Sequence, residues 1–212
     1  MKIHLALLLC GVLLPSFSEA AIEIKLSDSK RTLLVNEGTN SRECILPHES
    51  EKAWVSFDGE AVILSEREYV PVRGLVQCKE QVPVVVKEIP EGVGFLVDIN
   101  IRKGIYLTLD FISTNPLSYL ATVARIGHSK NIVSLPGAYV ESADLQELQR
   151  YGFGFDPESD RPRISLSGRY VSPSGKIDCS SDAYPGVWDI KKKIKVTISG
   201  SNSTCEQLFE KP

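Results

Sequence analysis

The side chains able to do chemistry are few. Three histidines occur in the chain. Gly127-His128-Ser129 sets one beside a serine, but neighbours on a strand point to opposite faces, so adjacency makes no nucleophile–base pair. His128 therefore reads as a surface-turn histidine, and His48, among Pro47, Glu49 and Glu51, as solvated loop. Neither belongs to an H-E-x-x-H metal motif, and no G-x-S-x-G nucleophile elbow is present. Two groups of carboxylates, Glu66/Glu68 and Asp156/Glu158/Asp160, have types suited to glycosidic chemistry or Ca²⁺ binding. The second interposes Pro157 and lacks the glycine and distant glutamate of a calcium loop. Both read as solvated surface charge. No catalytic residue, metal ligand or cofactor is assigned.

Cysteine usage is more informative. Of five cysteines, Cys10 lies in the apolar N-terminal run, leaving Cys44, Cys78, Cys179 and Cys205. An even number in an exported chain reads as a disulfide framework with three possible connectivities. Spacing favours two local pairs, Cys44–Cys78 and Cys179–Cys205. Each closes a loop of about thirty residues, worth roughly 3–4 kcal/mol in chain entropy. A Cys₄ zinc site would call for C-x₂-C pairs, which are absent. With all four paired, no thiolate is left to act as a nucleophile.

The most suggestive surface feature is Asp182-Ala183-Tyr184-Pro185-Gly186-Val187-Trp188. Pro-Gly forms a turn, and Tyr184 and Trp188 flank it. Aromatics beside a rigid turn suit a recognition edge, because Tyr and Trp are enriched at binding hot spots. The same pair could instead plug the end of a sandwich, with Trp188 buried beside a disulfide. Lys191-Lys192-Lys193 with Lys195 is the one basic run that stands out. Its bland reading is the solvent face and start of the last strand, where lysine also guards a sheet edge. Asn202-Ser203-Thr204 is a glycosylation sequon if the source is eukaryotic.

Strands must position these residues. Ile22, Ile24 and Leu26 alternate with polar neighbours, as do Val93 to Ile101, Ile105 to Phe111 and Lys193 to Ile198. A period of two with one wet face predicts half-buried antiparallel strands. Arg102-Lys103-Gly104 has the length of a hairpin link. Further strands are expected at 53–57, 60–64, 69–77, 82–88, 118–126 and 131–135. Pro71 and Pro83 move two of these to edges or bulges. One short helix is expected after Ser142, with Leu145 and Leu148 on its apolar face and Gly152 as its stop. Ile164 to Val171 with Val187 to Ile190 resembles one blade of a WD-type propeller. It occurs once, whereas propellers need four or more blades, so it reads as a hairpin pattern.

The chain's 212 residues, 42% hydrophobic and 24% charged, are globular in composition. A net charge of -3 argues against a nucleic-acid binder. Lys2, the apolar run to Leu14 and Ser18-Glu19-Ala20 have the layout of a secretory signal peptide. That run is too short to span a bilayer, which needs roughly 20 residues. The expected organisation is a signal over 1–20, a β-rich part over 21–152 and a small β-rich C-terminal part over 153–212 packed on it. The fold class is mainly β, an antiparallel sandwich-like architecture with one short helix and a disulfide-stapled C-terminal part. Function follows at the level of class: a soluble periplasmic or secreted protein that binds another protein, most concretely an inhibitor or immunity protein of the cell envelope, with no nucleic-acid partner and no membrane span after signal cleavage. The competing classes are an envelope hydrolase using carboxylates and an envelope structural or adhesin-like subunit. A protein exported along this route should start near Ala21 and titrate with no free thiol. Two or more reactive thiols under non-reducing conditions would contradict the framework.

Overall fold

A computed structural model describes residues 22–46, 49–50, 52–65, 75–79, 82–85, 95–114, 117–128, 130–140, 161–199 and 202–212. The expected signal segment, the helix after Ser142 and the acidic group at 156–160 lie outside these residues, as do Glu66/Glu68 and His48. Among the described residues, fifteen strands form four antiparallel sheets. The first holds β1 (Ile22–Leu26), β2 (Thr32–Glu37) and β3 (Asn40–Ile45). The second holds β4 (Lys52–Val55), β5 (Val62–Ser65), β6 (Leu75–Lys79) and β7 (Val82–Val85). The third, central sheet runs in chain order through β8 (Phe95–Asn100), β9 (Ile105–Thr114), β10 (Leu117–Arg125) and β11 (Asn131–Val140). The C-terminal sheet has four very short strands, β12 (Arg163–Ile164), β13 (Tyr170–Ser172), β14 (Trp188–Asp189) and β15 (Ile194–Lys195). Helix α1 (Asn202–Glu210) follows.

Alternation places the side chains in successive cores. On β5, Val62 and Leu64 face a cluster with Leu33, Val35, Cys44 and Leu46 of the first sheet. Ile63 faces the other way, joining Leu96, Ile99 and Tyr106 of the central sheet. A strand buried on both faces reads as an unbroken apolar run, and Val62-Ile63-Leu64 is one. On the far side of the central sheet, Leu107, Leu109, Ala121, Val123 and Leu135 meet Ile164, Val171 and Ile190 of the C-terminal sheet. Each sheet thus shares a core with the next. The predicted wet face of β8 does not exist, since Leu96 to Asn100 are all buried.

Three further differences have local causes. The hairpin of β2 and β3 was not among the expected strands. Glu37 pairs with Asn40, leaving Gly38-Thr39 as a two-residue loop, and Gly38 supplies the positive φ of 59° that such loops favour at that place. The last strand is two residues long instead of six: Lys193 turns at a φ of 59° ahead of it, and beyond Lys195 the Ile198 N–H leaves the ladder for the Cys179 carbonyl at 2.9 Å. The described helix lies at the C-terminus, where Cys205, Leu208 and Phe209 recur at helical spacing. Pro83 does sit on an edge strand, β7.

The C-terminal part has a small core of its own, Cys179, Val187, Cys205 and Phe209. The Cys179–Cys205 disulfide ties α1 to the loop before β14. Phe209 is fully buried and meets Phe57 edge-on, with ring centroids 6.1 Å apart. Its carbonyl accepts the Leu166 N–H at 2.9 Å. Phe209→Ala should cost about 3–5 kcal/mol in urea denaturation, whereas Glu206→Ala, on the exposed side of the helix, should change little. Equal effects would contradict this packing.

Candidate functional site

The aromatic pair divides into one exposed and one supporting residue. Trp188 opens β14, pairs with Val171 and Lys195, and packs half-buried against the core shared with the central sheet. Its indole N–H donates to the Pro185 carbonyl at 2.9 Å, closing the turn beneath it. Tyr184, in contrast, is 68% exposed. The Tyr184–Pro185 peptide is cis.

Gly186 has a φ of +71°, and a Cβ there would stand 2.7 Å from Lys195 Cε and 3.2 Å from the Ala183 carbonyl oxygen. The Lys195 stem therefore crosses the glycine. Its Nζ then donates to the Ser181 carbonyl at 3.0 Å and to that of Ala183. Positive φ and close approach together make glycine the fitting residue.

Beside Tyr184 lies an open, polar pocket of about 250 Å³, lined also by Ser174, Lys176, Asp178, Ser180 and Asp182. Asp178 accepts the Ser180 N–H at 2.9 Å, and Lys176 Nζ stands 3.9 Å from it. Hydrogen bonds from the Ser180 backbone and hydroxyl hold the Asp178 carboxyl below the usual carboxylate range. A carboxyl so held suits an acceptor for donor groups; a general acid needs the opposite shift.

The most perturbed carboxyl among the described residues lies elsewhere, at Asp98, where the sequence pattern predicts a solvent-facing side chain. A β-bulge at Val97 lets β8 advance from Leu96 to Asp98 while β9 advances one residue, from Thr108 to Leu107. The bulge turns Asp98 and Asn100 toward the C-terminal sheet. Asp98, fully buried, accepts the Phe57 N–H at 2.9 Å and the Ile164 N–H at 2.7 Å. Arg161 is its countercharge. The guanidinium donates to the Val55 carbonyl at 2.6 Å and lies 6.0 Å over the Trp54 ring. Its buried Nε has no hydrogen-bond partner. Trp54 in turn donates its indole N–H to the carbonyl of the bulged Val97 at 3.0 Å. Burial outweighs Arg161 and the backbone N–H groups and pushes the Asp98 pKa from 3.8 to about 6. A carboxyl in the titration range of a general acid–base group invites a catalytic reading. With no exposed surface and both oxygens on backbone donors, it is instead a joint between sheets.

The remaining assignments fall on turns and loops. Lys191, Lys192 and Lys193 form the β14–β15 turn, all exposed. The Asp189 carboxylate accepts the N–H groups of Lys191 at 3.1 Å and Lys192 at 3.0 Å, and Arg169 grips its other oxygen at 2.7 and 2.9 Å. Burial works to raise the Asp189 pKa, but these hydrogen bonds prevail and hold it below the ordinary value. His128 is exposed on the β10–β11 turn. Cys44 is buried and disulfide-bonded. Cys78, its expected partner, has a side chain outside those described, and its strand β6 touches β3. Among the described residues no histidine, cysteine or carboxylate group gathers as a metal site, and no helix is long and apolar enough to cross a membrane. No known protein family, curated protein or solved structure matches the chain.

The raised Asp98 pKa has a definite sign in stability. The favourable term is fully present below about pH 3.8, where the carboxyl is neutral in both states, and is lost as pH rises through about 6. Asp98→Asn cannot ionise. The stability difference between wild type and variant should therefore drift against wild type by about 3 kcal/mol between about pH 4 and 7. Denaturation midpoints across that range check it, and parallel pH profiles would contradict it.

Proposed function

We propose that this chain is an exported, disulfide-stapled binding protein that recognises another protein through the Tyr184 end of its C-terminal sheet, in the manner of an inhibitor or immunity protein of the periplasm or extracellular space. The observation that carries this reading is Tyr184 itself, a large aromatic 68% exposed beside an open polar pocket. Its loop is held by the Trp188–Pro185 hydrogen bond and the Lys195 clamp. A pre-ordered aromatic loses little entropy on binding, and the Ser and Asp side chains of the pocket offer acceptors and donors around it. The Cys179–Cys205 disulfide supports an oxidising compartment. The inhibitor or immunity role rests on class: size, export layout and a recognition surface. At the Tyr184 pocket, an Asp178 carboxyl held below the ordinary range does not suit the protonated carboxyl that glycosidic cleavage asks for.

The two aromatics should respond differently. Tyr184→Ala should weaken a captured envelope partner by about thirtyfold, the equivalent of about 2 kcal/mol, with an unchanged melting temperature. Trp188→Ala should lower the melting temperature, because it opens the shared core and frees the turn. Titration calorimetry and thermal scans of both variants check this. A Tyr184→Ala protein that retains full partner affinity would remove the proposed surface.

A further inference from the structure

The lysine turn is part of a larger arrangement that the linear sequence conceals. Four turns meet at one end of the molecule. The β8–β9 and β10–β11 turns are joined by the Ile126 N–H donating to the Gly104 carbonyl at 2.8 Å. The β12–β13 turn lies on the first of these, since Asn100 donates to the Ser165 and Leu166 carbonyls at 3.0 and 3.1 Å. A Cβ on Gly168 would come within 2.7 Å of Lys103 Cγ. The β14–β15 turn adjoins in its turn, because Ile190 N–H donates to the Arg169 carbonyl at 3.0 Å.

These turns bring together Lys103, Arg125, Lys130 and the run Lys191 to Lys193, all exposed. Of the carboxylates nearby, two are paired with arginines, while Asp58 and Glu210 have no cation partner among the described residues and offset part of the field. Asp58 accepts Ser56, Glu60 and Ile101 donors, Glu60 pairs with Arg102, and Asp189 pairs with Arg169. The end of α1, tied to the β12–β13 turn through the Leu166 N–H and the Phe209 carbonyl, adds Glu210, and Lys211 follows it, one charge of each sign. A chain of net charge -3 therefore gathers six cations without a carboxylate partner among the described residues at one end. The Tyr184 pocket sits at the opposite end of the same short sheet, before β14 and after β13.

We propose that this end is an electrostatic attachment site for an anionic phospholipid surface. Five of the six cations are lysines, and among the described residues the turns expose no Phe, Tyr or Trp; Ile194, 52% exposed, is a large apolar neighbour. Protein interfaces are depleted in lysine and built on aromatic and arginine anchors, and single-stranded nucleic acid sites need stacking rings. Lysines spread over several rigid turns suit instead a broad lattice of phosphates, to which each contributes independently by long-range attraction. Attachment here would leave the Tyr184 end facing away from the membrane.

Co-sedimentation of the full chain with phosphatidylcholine vesicles, with and without one-third phosphatidylglycerol, tests the proposal. Binding is expected to the anionic vesicles alone and should fade as salt rises. Lys191→Gln with Lys192→Gln, and separately Lys103→Gln with Lys130→Gln, should each weaken binding about thirtyfold, corresponding to about 1 kcal/mol per lysine. Lys25→Gln with Lys52→Gln removes the same charge from other surfaces and should cost under about threefold. Equal binding to neutral vesicles, or an equal loss in that control pair, would overturn the proposal. So would retention on immobilised heparin without vesicle binding, which would assign the patch to an anionic polysaccharide.

Discussion

A carboxylate taken out of water must find donors, and in this fold those donors belong to different sheets. Asp98 stands on the central sheet, takes one N–H from the β4–β5 turn of the second sheet and another from β12 of the C-terminal sheet. Arg161 completes the arrangement by pairing electrostatically with Asp98 while donating to the second sheet at Val55. Apolar burial drives the sheets together but is indifferent to their relative setting. Directional bonds to a buried charge fix it, and the cost of misplacing any of them is large. Asn100, two residues on, repeats the device with a neutral side chain.

The short C-terminal strands depend on that joint. Strands of two and three residues make few ladder bonds, so β12 to β15 gain their position from Asp98, from Asn100 and from the core they share with the central sheet. The disulfide and Phe209 then hold α1 against the outer side. With its frame fixed in this way, the sheet can present different chemistry at its two ends: an aromatic with a polar pocket at one, a field of lysines at the other. The segregation of charge follows from topology, since all four contributing turns lie at the same ends of their strands.

Much of the strand content was legible in the sequence. The alternation at Ile22, the hairpin at Arg102-Lys103-Gly104, the edge role of Pro83 and the Cys179–Cys205 pair all emerge from local pattern. Asp98 was not legible. Its alternation with Val97 and Ile99 reads as a solvent face, and only a bulge, which a period-two pattern does not encode, buries it. The β2–β3 hairpin was hidden by a polar β3, whose Cys44 alone is buried among exposed neighbours. The C-terminal helix was masked by its brevity and by the sequon at its start. Tyr184 and Trp188 were found through turn chemistry, but which of them faces solvent depended on a core contributed by strands far away in the chain. The basic end likewise combines residues from 103 to 193, a proximity that no window of sequence contains.

Amide hydrogen exchange on wild type and Asp98→Ala tests the central claim most directly. If Asp98 is the joint, the variant loses about 3–5 kcal/mol, and the Phe57 and Ile164 amides lose protection together although one lies in the β4–β5 turn and the other on β12. Protection retained at both amides, with a stability loss under about 1 kcal/mol, would show that apolar packing alone sets the sheets and would contradict the account.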